Sequence, residues 1–82
     1  MTENTKNTKR LYVAAAYIAC GARLANVDKT DPLHMEFTFS DGKDMKLTLD
    51  EIETQWGDGS LMVKATDYAE AITRMLSIVH SK

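Results

Sequence analysis

The chain predicts an α+β domain, a small antiparallel sheet with helices packed on it, and three stretches carry that expectation. HMEFTFSDGKDMKLTL, residues 34–49, alternates apolar and polar residues on both sides of an Asp-Gly pair, as a β-hairpin does. Leu11 to Ala22 contains no charged or amide side chain and ends around a glycine, as a buried helix does. Tyr68, Ile72, Met75, Leu76 and Val79 recur at helical spacing near the C-terminus. Together with shorter segments they predict the order α-β-β-β-α-β-α.

Residues 1–8 (MTENTKNT) lack any apolar periodicity and are expected to form a flexible N-terminal tail, leaving 9–82 as a single domain. Thr8 is placed to cap a helix over Lys9–Cys20, and Gly21 to end it in the left-handed conformation. A helix apolar on nearly all sides must be covered on more than one side. That coverage comes either from a second copy of the chain or from a central position between the sheet and the C-terminal helix. With 82 residues the core buries only about 60–65% of the unfolded chain's surface, so dimerisation is a natural supplement. A homodimer through the helix Leu11 to Cys20 is therefore expected.

RLANVD, residues 23–28, predicts a short strand with Leu24 and Val27 inward, ended by an Asp31-Pro32 turn. In the hairpin, Met35, Phe37, Phe39, Met45, Leu47 and Leu49 share one parity. A three-residue loop Ser40-Asp41-Gly42 keeps them on one face, pairing Phe37 with Met45, Met35 with Leu47 and Glu36 with Lys46. The other face, His34, Glu36, Thr38, Lys46 and Thr48, is then a solvated ladder. Leu49, Ile52 and Trp56 predict a helix after Thr48, with Asp50, Glu51 and Glu53 at the end where its dipole favours acids. GDGS (57–60) is a turn, Leu61 to Ala65 a last short strand, and Thr66 or Asp67 the cap of a helix running to Ser77 or His80.

The net charge of −2 is unevenly spread: +3 over residues 1–23, −6 over 24–58 and +1 over the remainder. An acidic middle gains little from duplex nucleic acid. What remains for that class is Lys9, Arg10, Tyr12 and Arg23, a basic patch with one aromatic ring on which a single strand could stack. The lone Cys20 excludes an internal disulfide and suits a reducing cytoplasm. Lys6, Lys9 and Arg10 before LYVAAAYIAC also resemble a lipoprotein signal. Tyr17 and Ile18 fit poorly before such a cleavage site, and the apolar run is too short to cross a bilayer.

Little in the chain points to chemistry. His34 and His80 have no ligand-like spacing with Cys20 or the acids, DGKD (41–44) lacks the pattern of a calcium loop, and GDG (57–59) lacks that of a phosphate loop. No metal, cofactor or catalytic residue is expected, and the chain is expected not to be an enzyme.

With these elements in place, RLYVAAAYIACGARL, the FTF of Phe37–Phe39, the Trp56-Gly57 turn and LMVKATDYAEAITRML resemble a family of small phage and prophage proteins classed as a domain of unknown function. The likeness covers about 70 residues and rests on hydrophobic pattern. It implies a mobile-element origin and the cytoplasm of a bacterial host, and supplies no catalytic residue. The expected function is a non-enzymatic accessory protein that binds a bacterial or phage protein and inhibits a defence system. The alternative is a nucleic-acid-binding accessory using the basic N-terminal helix.

Overall fold

The apolar run after Arg10 folds into the helix on which the rest of the chain is assembled. The computed structural model describes residues 5–31, 33–43 and 45–80. Its elements follow in the order β1 (Thr5–Thr8), α1 (Leu11–Ala19), β2 (Arg23–Asp28), β3 (Glu36–Ser40), α2 (Leu49–Asp58) and α3 (Ala65–His80). The α+β class and the antiparallel sheet are as the sequence predicts. Residues 1–4 of the expected tail, Pro32 of the expected turn and Asp44 of DGKD lie outside the described residues.

α1 packs on α3, α2, β1 and β2. Ala14, Ala15 and Ala16 are fully buried and Tyr17 almost so. Methyl side chains let the sheet and both other helices approach the α1 backbone, while Tyr17 supplies volume and stacks on Phe39 with ring centroids 5.1 Å apart. Leu49 and Ile52 of α2, Ala71 and Met75 of α3, and Phe37 of β3 complete the core. The central position foreseen as one of two ways to cover α1 is the one adopted. Within Leu11 to Cys20 the alanine run and Tyr17 are sealed inside the chain, Tyr12 is exposed, and Leu11, Val13, Ile18, Ala19 and Cys20 are half-buried.

Gly21 takes φ 94° and closes α1 in a paired turn, its N–H donating to the Ile18 carbonyl and that of Ala22 to the Tyr17 carbonyl, both at 3.0 Å. At the other end Thr8 does not cap a helix beginning at Lys9. Its hydroxyl accepts from the Arg10 N–H at 3.1 Å while Thr8 itself sits in β1, so α1 starts two residues later than expected.

The sheet order is β1-β3-β2. Register aligns Lys6, Phe39 and Leu24 in one row and Thr8, Phe37 and Val27 in another, both facing the helices; Asn7, Thr38 and Asn26 form a row on the opposite, polar face. Leu24 and Val27 are three residues apart, a spacing that a regular strand would place on opposite faces. An irregularity between Leu24 and Asn26 leaves Ala25 out of the register and restores both to the core side.

Three expectations are corrected. Thr5–Thr8, read as tail, is an edge strand whose outward side chains meet water, so it needs no apolar alternation. The hairpin 34–48 does not form: β3 is the central strand, β1 and β2 occupy both its edges, and residues 45–48 carry no strand. Met45 and Leu47 still pack on the core, from a loop, and Lys46 has no strand position opposite Glu36, where Asp28 stands instead. Leu61 to Lys64 is likewise irregular, and α3 begins at Ala65. The order from β1 to α3 is therefore β-α-β-β-α-α.

α2 is closed at both ends. Thr48 and Glu51 form a reciprocal capping box, with each side chain bonded to the other's N–H at 3.1 and 2.9 Å. Gly59 at φ 80° ends the helix. Lys6 ties β1 to the first turns of α2, its Nζ lying 2.7 Å from Asp50 and 3.3 Å from Glu53. The bond to Asp50, then that to Glu53, raises the Lys6 pKa. Its contribution is complete below the ordinary lysine value of about 10.4 and is lost as pH rises through the raised one.

The alanine run sets a measurable limit. Ala15→Leu should destabilise the domain by about 1–3 kcal/mol through overpacking, seen as a lower urea midpoint with an unchanged slope. A midpoint equal to that of the wild type would mean that α1 is not sealed as described.

Candidate functional site

Where α1 ends, Ala19, Cys20 and Gly21 are small and loops lie beside β2 and α3, and the surface opens there. Three adjoining depressions surround Ile18 to Gly21, of about 660, 480 and 200 Å³. The largest has Ala19, Cys20, Leu47 and Val63 in its floor, Met62 at its edge, and Lys46 and Lys64 on its rim. Across Gly21 the second is lined by Ile18, Leu24 and Ile78 together with Arg23, Lys43 and Arg74. The third, on α3, joins the other two through Asp67 and Arg74 and adds Glu70.

Among the described residues five cations thus converge from β2, the loop after β3, the α2–α3 connection and α3 on one end of one helix, against Asp67 and Glu70 in the lining and an exposed Asp41 beside it. The helix C-terminus also carries the negative end of the α1 dipole, which favours cations there. Arg23 is held in part by its Nε donating to Ser40 Oγ at 3.4 Å. Met62 is 88% exposed.

Gly42 locks the wall between the two larger depressions. A side chain on Gly42 would overlap the Gly21 carbonyl oxygen, and the Gly42 N–H donates to Met45 Sδ at 3.0 Å. Cys20 is half-buried in this wall, and burial pushes its thiol pKa up, so it remains protonated and weakly nucleophilic near neutral pH.

The residues singled out by sequence do not form one patch. Lys9, Arg10 and Tyr12 stand together at the start of α1, with Tyr12 60% exposed and its carbonyl accepting from Tyr68 Oη at 3.1 Å. Arg23 lies at the far end, opposite Ser40, whereas Thr8 pairs with Phe37. The nine residues of α1 between them span about 13 Å. Hydrogen bonds from Thr30 and from His34, respectively, hold the Asp28 and Asp31 carboxyls below the usual range, and the nearby Lys9 charge adds a smaller lowering to each.

His34 Nδ1 lies 3.0 Å from Asp31 Oδ2, an exposed contact within a turn, and among the described residues no group of three or more His, Cys, Asp or Glu is placed to hold a metal ion. No described helix is long and apolar enough to cross a membrane. Lys43, Lys46, Lys64, Arg74 and Met62 were not legible as a site. Their sequence separation hides the convergence, and the one local signal was Met62, out of phase between Leu61 and Val63.

Gly42→Ala should lift the 41–47 loop from Gly21 and speed modification of Cys20 by a thiol reagent several-fold, since exposure governs access to the thiol. An unchanged rate would show that the contact does not shape the wall. Comparison with protein-family models, curated proteins and solved structures finds no match to this chain.

Proposed function

We propose that this protein is a non-enzymatic accessory factor of a phage or other mobile element, acting in the bacterial cytoplasm by binding a host protein of the defence machinery. The observation that carries protein binding is the apolar surface at the end of α1, where Met62 stands exposed beside Leu47 and Val63 at the mouth of the largest depression. An open apolar surface of this kind, rimmed by charge, is what a protein partner covers. The mobile-element origin and the target rest on the resemblance in RLYVAAAYIACGARL and LMVKATDYAEAITRML.

The nucleic-acid reading has one observation in its favour, the exposed Tyr12 ring beside Lys9 and Arg10. Asp28 and Asp31 within reach of Lys9 weaken it.

Paired capture from a lysate of the bacterial host tests the proposal. Wild-type protein should retain one protein that Met62→Glu loses, and nuclease treatment should leave that retention intact. Equal retention by the two baits, or retention that nuclease and Lys9→Glu/Arg10→Glu both abolish, would overturn it.

A further inference from the structure

The charge around the end of α1 identifies the kind of segment that would fit there. The inference rests on the protein-binding reading above and adds the chemistry of the occupant. The two larger depressions have apolar floors, Leu47 and Val63 in one, Ile18 and Ile78 in the other, and meet across Gly21. Lys46 and Lys64 flank the first; Lys43 and Arg74 flank the second.

The chain as a whole is acidic, with a net charge of −2, so any attraction for an acidic partner must be local. It is local. The domain measures 34 × 32 × 23 Å, while charges in physiological salt are screened over about 8 Å. Asp28 and Glu36, paired at the opposite end of β2 and β3 from Arg23 and Ser40, lie about 16 Å along β2 from Arg23, roughly two screening lengths, and where the β2–β3 connection comes nearer it brings a cation, Lys29 Nζ reaching the Ile78 carbonyl at 3.2 Å. Asp67, Glu70 and the exposed Asp41, together with the negative end of the α1 dipole, lie within reach and reduce the field, but among the described residues five cations stand against these three carboxylates.

We infer that the joined depressions at the C-terminal end of α1 bind an acidic segment of a partner protein, in which apolar residues enter the floors and carboxylates meet Lys46, Lys64, Lys43 and Arg74. A nucleic-acid strand is the poorer fit. It would bring phosphates for the cations but nothing for the apolar floors, and none of the lining residues is an aromatic ring on which a base could stack.

The test uses the full chain and a fluorescein-labelled peptide of alternating glutamate and leucine, roughly eight residues and about 27 Å when extended. A lysine-leucine peptide and a single-stranded DNA of similar length serve as counterparts, and binding is followed by anisotropy. The glutamate-leucine peptide should bind, the lysine-leucine peptide should not, and Lys46→Glu/Lys64→Glu should weaken binding about tenfold with the fold intact by circular dichroism. Equal binding of the two peptides, tighter binding of the DNA, an unaltered affinity in the double variant, or no binding of the acidic peptide would each overturn the inference. A captured protein that Met62→Glu loses but Lys46→Glu/Lys64→Glu retains would remove the acidic occupant while leaving protein binding in place.

Discussion

Close approach to the α1 backbone is the constraint from which the other features follow. Ala14, Ala15 and Ala16 present methyl groups on successive sides of the helix, so the sheet can lie against it on one side and α2 and α3 on others. A helix of larger side chains would hold at least one of those elements away. Tyr17 takes up the volume that the alanines leave, stacking on Phe39 at an interplanar angle of 26°. The same economy of side chains continues through Ala19 and Gly21, and there it has the opposite effect. At that end β2 and α3 border the surface without closing it, Gly42 comes in backbone to backbone, and depressions stay open on either side. The sealed core and the exposed grooves are two results of one run of small residues.

How far the sequence foretold this depends on whether the information was local. The helices were legible because capping and periodicity are short-range: Thr48 before an acidic turn, Gly21 after an apolar one, and the stripe Tyr68–Ile72–Met75 all did what such patterns do. α2 even carried the threonine-x-x-glutamate signature of its reciprocal cap, at Thr48 and Glu51. Strand pairing is long-range, and there local reading failed. Parity over residues 34–49 puts Phe37 and Phe39 on the core face, where they are, yet pairs their strand with residues 45–48, whereas β3 pairs with β1 and β2. Nothing within the hairpin segment reveals that TKNT will take one edge of β3 and RLANVD the other. Met45 and Leu47 then serve the core from a loop, which their alternation does not distinguish from a strand.

The candidate site was less legible than the fold, for a related reason. Charge counted along the chain assigned the positive region to the N-terminus. In three dimensions Lys6 is taken up by Asp50 and Glu53, Lys9 lies near Asp28 and Asp31, and the cations that gather come from positions 23, 43, 46, 64 and 74. Each of these, seen alone, is an ordinary solvated side chain. The fold makes them neighbours by bringing two connections, the start of β2 and α3 to one helix end.

Amide hydrogen exchange along α1, followed at several protein concentrations, tests most directly the claim that one chain seals this helix by itself. If it does, the amides of Ala14 to Tyr17 exchange among the slowest in the molecule and at rates independent of concentration. Protection that grows with concentration would place the covering surface in a second copy, and rapid exchange at every concentration would mean that the helix is not sealed at all.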